Sequence, residues 1–353
     1  MVIYRGCHFY RVVQSKMNNN PKDKLNRIKI NTETLESAPW FEGVADDIRA
    51  AQKSGDTDDP VDFYVYAPFA IRLAHVFIRK GLSANAATLM SLFIGITGGI
   101  LLYPQNRWIN LIGILFELFA TVLDCCDGQI ARLTHTSSQL GRVLDGSTDI
   151  LVFLTMYISI GCRMMNEPMP FTGGNWSFWI WIPFFLMMVC HAGQARMGDY
   201  YRGMHLYFLK GSSSANLSRS KDIREEIATL PGDSPLYLRV YLSVYLIYTR
   251  LQEIRVPRSQ HLLDLTEKYG IPAEVSDAYI TQSRRYIQLT NVLTYNVRAY
   301  TLFILLLLQI HVFYIPFVLL ILEAVKFFMV AKYEAIAESL TEKFSSAVQK
   351  ETV

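Results

Sequence analysis

Residues 108–149 read WINLIGILFELFATVL-DCCDGQIAR-LTHTSSQL-GRVLDGSTD, and their pattern decides what kind of molecule this chain is. An apolar run from Trp108 to Leu123 ends abruptly at Asp124, and Asp127, Asp145 and Asp149 follow. On a helix, positions 124, 127, 128 and 131 share one stripe, and 141, 145 and 149 share another. The connection over 133–140 is short, so the two helices are expected to be antiparallel neighbours with these stripes facing. Four carboxylates then converge at one end of a bundle, and Gly128 and Ala131 leave room beside them.

Four like charges gathered at membrane depth repel one another and lose solvation, which is costly in a low dielectric. The segment contains no lysine, and Arg132 and Arg142 cannot neutralise four acids. A set of oxygen ligands suits a hard divalent cation, Mg²⁺ or Mn²⁺, and four carboxylates can hold a pair of them. Two ions side by side suit phosphoryl chemistry, in which they neutralise the substrate and stabilise the leaving oxygen. One carboxylate is free to take a proton from an attacking hydroxyl. Cys125 and Cys126 fall off the stripe and read as small packing residues.

The rest of the chain agrees with a membrane setting. Of its 353 residues, 51% are hydrophobic and 18% charged, too apolar for an ordinary soluble domain. The net charge of +3, with no long basic stretch apart from the apolar runs, excludes an obvious nucleic-acid binder. The five cysteines are odd in number and contain no CxxC pair, so neither a disulfide framework nor a zinc site is expected. Residues 1–62 form a polar amino-terminal segment, within which Met17 is as good a start as Met1. Apolar and aromatic residues recur at helical spacing from Phe63 to Lys80, which reads as a helix lying in the membrane interface.

The fold class expected is an all-α polytopic membrane protein with six transmembrane helices. The spans are placed at Ala86–Tyr103, Trp108–Leu123, Leu144–Cys162, Phe178–Ala192, Ala299–Val312 and Phe313–Val330. Residues 63–205 thus hold the interfacial helix and the first four spans, and 296–332 the last two. A long insert over 206–295 separates them, and 333–353 form a carboxyl-terminal tail. Within the insert, Gly211-Ser-Ser-Ser reads as a loop, Ser220–Leu230 as a polar helix, and Pro235–Glu253 as a helix at the interface or packed on protein. Lys and Arg concentrate on one side, which puts both termini and the active site in the cytoplasm. A bacterial inner membrane is the expected location.

The pattern D-x2-D-G-x2-A-R-x8-G-x3-D-x3-D, filled from Asp124 to Asp149, resembles the CDP-alcohol phosphotransferases at every fixed position. Ser83-Ala-Asn85-Ala-Ala-Thr88 is similar to that family's T-P-N-x-V-T, with Ala84 in place of the proline. The resemblance implies a membrane enzyme of phospholipid biosynthesis that attacks a CDP-linked donor, often CDP-diacylglycerol, with an acceptor hydroxyl and releases CMP. It implies that Asp124, Asp127, Asp145 and Asp149 bind two metal ions, with Asp149 also the base. Gly128 and Ala131 would admit the cytidine, Arg132 would face the donor phosphates, and Asn85 and Thr88 would join the donor pocket. The same resemblance suggests a homodimer and a small alcohol acceptor, favoured as inositol or a phosphorylated polyol held by Arg196 and Arg202.

Two other classes compete with this reading. A transporter would spread acids along a path across several spans, whereas only Glu117 lies deep in the bundle. An inactive scaffold would be expected to have lost one of the aspartates, and none is missing.

Overall fold

The computed structural model describes residues 43–44, 47–48, 56–136, 139–169, 173–211, 217, 219–232, 234 and 236–351. The alternative start at Met17, most of the polar amino-terminal segment and the serines after Gly211 lie outside these residues. Among the described residues there are helices and connections, one isolated bridge between Pro168 and Asn175, and no strand.

A π-helical turn, Asp62–Tyr66, leads into α1 (Ala67–Arg79). Then come α2 (Ala84–Ile100), α3 (Arg107–Leu133), α4 (Gln139–Met164) and α5 (Trp181–Lys210). The insert supplies α6 (Ser220–Thr229), α7 (Leu236–Glu253), α8 (Pro257–Tyr269), α9 (Ala273–Ser283) and α10 (Ile287–Val292). The chain closes with α11 (Tyr295–Leu307), helical turns of 3₁₀, α and π type over 311–322, and α12 (Glu323–Glu351), which continues them.

Four stretches are long and apolar enough to cross a membrane: Arg107–Leu133, Leu144–Met164, Ser177–Lys210 and His311–Phe344. The apolar helices α2 and α11 stand where the first and fifth spans were expected, but they are shorter. The apolar cores at Trp108–Leu123 and Phe178–Ala192 are short for a crossing, and α3 and α5 extend through polar residues as that shortness implies. Both continue well past their apolar runs, because helix propensity and packing carry them on after lipid contact ends.

Local chemistry fixes the ends. Ser83 caps α2 by accepting from the Ala86 amide at 3.3 Å, and Asn106 caps α3 by accepting from Trp108 and Ile109 at 2.9 and 3.3 Å. Small residues then let α2 and α3 approach closely. A Cβ on Gly98 would sit 2.9 Å from the Gly113 carbonyl oxygen, so glycine is required there. Cys126 is fully buried among Ala70, Ala74, Phe77, Leu123 and Ile130, a packing residue as its position suggested.

The insert is not a loose appendage. α8 and α9 pack on the extensions of α5 and α12, where Tyr201 stacks on Tyr333 and Phe208 on Tyr279, each at 4.2 Å. Glu334 accepts from the amides of Arg258 and Ser259 at 2.8 and 3.1 Å, so residues 333–344 continue a packed helix. The hydrophobic core therefore runs unbroken from the spans into the insert.

Candidate active site

Three of the four carboxylates on the helical stripes meet. Asp124, Asp127 and Asp145 each offer an oxygen, and these three atoms lie within 4.8 Å of one another. Asp127 is buried, and Asp124 and Asp145 are half-buried. Asp149, one turn beyond Asp145, is exposed and stands outside this trio, though within electrostatic reach of Asp124, Asp127 and Asp145.

The donor set fits a divalent cation on its own chemistry. Oδ1 of Asp124 is buried without a hydrogen-bond partner, and no lysine or arginine forms an ion pair with the trio among the described residues. A buried carboxylate oxygen left in this state is costly unless a positive ligand takes it. All the groups are hard oxygen donors, as Mg²⁺ and Mn²⁺ prefer.

Neighbouring elements position the cluster. The hydroxyl of Thr88, in the first turns of α2, donates to Oδ2 of Asp127 and fixes that carboxylate. Thr88 is thus brought to the metal ligands, while Asn85 sits half-buried one turn earlier. On α3, the Arg132 guanidinium folds over Gly128, where a Cβ would lie 3.0 Å from its Nη1. Its Nε is buried and without a partner, which leaves a donor free beside the acids. Ala131 is half-buried on the same face.

The structure adds groups that the local motif did not reveal. Asp62 and Asp199 both lie within electrostatic reach of Asp149. Asp62 is held there from the amino-terminal side because Asn296 donates to its carboxylate at 2.7 Å. The turn before it is anchored by Asp56, which accepts from Arg284 at 2.9 Å and meets His205 at 3.3 Å. Tyr295, at the start of α11, is close to Asp124, Asp149 and the fully buried Glu117. No spacing rule could have found Asp56, Asp62 or Tyr295, since they come from segments far from the motif in the chain.

The two arginines assigned to an acceptor phosphate differ sharply. Arg202 is already engaged: it donates to Asn291 at 2.6 Å and to Thr290 at 3.3 Å. Arg196 lies over the ring of Tyr248 on α7 at 5.0 Å, and its buried Nε has no partner. Of the other cations, Arg298 is buried and bonded to the Leu293 carbonyl, and Lys326 pairs with Glu323.

Residues 82–197 match the family model of the CDP-alcohol phosphatidyltransferases, a range that holds the whole aspartate motif and the first turns of α2. Choline/ethanolaminephosphotransferase 1 of Arabidopsis thaliana is 32% identical over 128 residues, covering 34% of this chain and 31% of the relative. Choline/ethanolaminephosphotransferase 2 of the same plant is 31% identical over 135 residues, covering 35% of this chain and 32% of the relative. The chain thus spans about a third of the length of the curated relatives it matches. No solved structure matches it.

Proposed function

We propose that this chain, whose residues 82–197 are a CDP-alcohol phosphatidyltransferase domain, is a metal-dependent phosphotransferase of phospholipid biosynthesis. The observation that carries the reading is the converged trio of Asp124, Asp127 and Asp145 with an unpartnered buried oxygen. It acts within a six-helix bundle whose carboxylate end faces the cytoplasm, the side on which Lys and Arg concentrate.

The reaction transfers a substituted phosphate from a CDP-linked donor to a hydroxyl. The acceptor oxygen bonds to the phosphorus that carries the non-cytidine alcohol, the bond from that phosphorus to CMP breaks, and CMP leaves. Two Mg²⁺ or Mn²⁺ ions, held by Asp124, Asp127, Asp145 and Asp149, would neutralise the diphosphate and stabilise the leaving oxygen. Asp149, open at the mouth of the cluster, takes the proton from the acceptor hydroxyl. Arg132 directs its free Nε–H towards the donor phosphates, and Gly128 and Ala131 leave space for the cytidine.

For the alcohol, we favour an amino alcohol. Asp62 and Asp199 add negative charge around Asp149, with Arg202 3.9 Å from Asp199, and an acidic surround suits a cationic headgroup. The relatives named choline/ethanolaminephosphotransferase point the same way. In this arrangement the donor is a CDP-linked amino alcohol and the acceptor a lipid hydroxyl. A second reading, CDP-diacylglycerol with inositol or a phosphorylated polyol, is favoured by the unpaired Nε of Arg196. It has less support at Arg202, which is bound to Thr290 and Asn291.

The test is CMP release by the purified protein with Mg²⁺ or Mn²⁺, and with EDTA as control. CDP-choline and CDP-ethanolamine are offered with diacylglycerol; CDP-diacylglycerol is offered with inositol and inositol phosphate. Metal-dependent release in the first arm alone supports the amino-alcohol assignment. Release in the second arm alone replaces it, and Arg196→Ala should then raise KM for inositol phosphate far more than for CDP-diacylglycerol. Silence in every arm overturns the enzyme reading.

A further inference from the structure

The insert presents one apolar surface that no other part of the described chain covers. On α7, Leu236, Val240, Val244, Ile247 and Leu251, with Ile254 just beyond it, are 76%, 54%, 61%, 60%, 42% and 75% exposed. Their spacing of four, four, three, four and three residues puts them on a single stripe. The opposite face is covered: Leu242, Thr249 and Gln252 are buried, and α6 packs along the helix with Ile223 turned inwards. The outer side of α6 then exposes Lys221, Asp222, Arg224, Glu225 and Glu226. The hairpin α6–α7 is therefore a two-layer slab, charged on one side and aliphatic on the other.

Its attachment shows which medium the aliphatic side meets. Gln252 donates to the Arg196 carbonyl at 3.0 Å, and the Arg255 guanidinium lies against Gly193. Both contacts fall where α5 leaves its lipid-type surface, for Ile182, Phe185, Leu186 and Val189 are the exposed aliphatic and aromatic residues of the preceding turns. The stripe of α7 thus begins, at Leu251 and Ile254, beside the point where the apolar exterior of a membrane-crossing helix stops. Arg250 is exposed near that end, and Tyr241, Tyr245 and Tyr248 stack along one flank at 5.9 and 6.3 Å. Arginine and tyrosine at the rim of an aliphatic stripe match the headgroup level of a bilayer.

We infer that the α6–α7 hairpin lies flat on the bilayer surface at the carboxylate end of the bundle, with the Leu236–Ile254 stripe sunk to the boundary between headgroups and acyl chains. α7 remains on one side of the membrane, because α6 and its charges cover its other face. The bilayer then holds Tyr248 against Arg196, at the end of α5 that borders the active site.

The test uses the full chain in nanodiscs of phosphatidylcholine and phosphatidylglycerol, with a photoreactive residue placed singly by Val244→p-benzoylphenylalanine or Ile247→p-benzoylphenylalanine. Glu225→p-benzoylphenylalanine on α6 is the control. After irradiation, phospholipid adducts should form several-fold more at 244 and 247 than at 225, read as a mass shift of the peptide that carries the probe. Equal yields at the three positions would overturn the inference by showing the stripe in water. Cross-linking of 244 or 247 to a second copy of the chain would overturn it in favour of a protein partner.

Discussion

The two ends of the helix pair α3–α4 use the same kinds of group in opposite ways. At one end Asp124, Asp127 and Asp145 gather with no basic ion-pair partner among the described residues, and Asp124 keeps a buried oxygen unbonded. At the other end Glu167 is saturated: Arg163 donates from Nε at 3.0 Å, and His311 meets the second oxygen at 2.7 Å. The Arg163 guanidinium also reaches Asn110 at 2.9 Å and the carbonyls of Leu102 and Pro104 at 3.4 and 3.2 Å, so one side chain ties the α2–α3 connection and the start of α3 to the turn after α4. The far end spends its charges on holding the bundle together. The motif end gathers three carboxylates with no ion pair among the described residues, and that cost is sensible only if a ligand takes them up.

The sharpest way to break this contrast is to remove a charge from each end. Asp145→Asn should lower CMP release by roughly 10²–10³-fold, on the scale of the several kcal/mol that a bound metal contributes. In EDTA the same variant should be more stable than the parent by about 1 kcal/mol, because one repulsive charge has gone. Loss of both stability and turnover would make the aspartates a structural cluster like the far end. Thr88→Val removes the hydroxyl that fixes Asp127 and should raise the metal concentration for half-activation by roughly 10–100-fold. An unchanged metal titration would remove Thr88 from the site.

At the far end the expected signs reverse. Glu167→Gln leaves Arg163 and His311 without their carboxylate and should cost about 1–3 kcal/mol in thermal or denaturant unfolding. Turnover per folded molecule should stay at the parental level. A smaller effect is expected with pH. Burial pushes the Glu167 carboxyl up, but the His311 and Arg163 contacts outweigh it and hold the group below its ordinary value of 4.5. A carboxyl lowered in the folded state stabilises above its unfolded value and loses that contribution as pH falls through the folded one. The parent should therefore lose more stability than Glu167→Gln below about pH 4.5, and parallel curves would show that the pairing contributes nothing.

Much of the site could be read directly from the chain because it is local. Asp124, Asp127 and Asp145 lie on two successive helices, and a period of 3.6 residues with a short connection suffices to bring them together, while Asp149 falls one turn beyond. Thr88 is also local in this sense, since it begins the helix that packs on α3. Asp62 and Tyr295 were not legible, because only the closing of residues 56–62 onto α9–α11 brings them near. The bonds of Arg202 were not legible for a related reason: an arginine at a helix end looks alike whether it faces a phosphate or is bound to Thr290 and Asn291. The length of α12 was underestimated because hydropathy marks lipid contact, and this helix goes on into protein contact.

The most direct test of whether the clustered carboxylates are a metal centre is equilibrium binding of Mn²⁺, followed by electron paramagnetic resonance of the free ion in a titration of the purified protein. The parent should bind Mn²⁺ saturably, in competition with Mg²⁺, and Asp145→Asn should lose that binding while Glu167→Gln retains it. Equal Mn²⁺ binding by all three proteins, or none by the parent, would contradict the assignment of Asp124, Asp127, Asp145 and Asp149 as metal ligands.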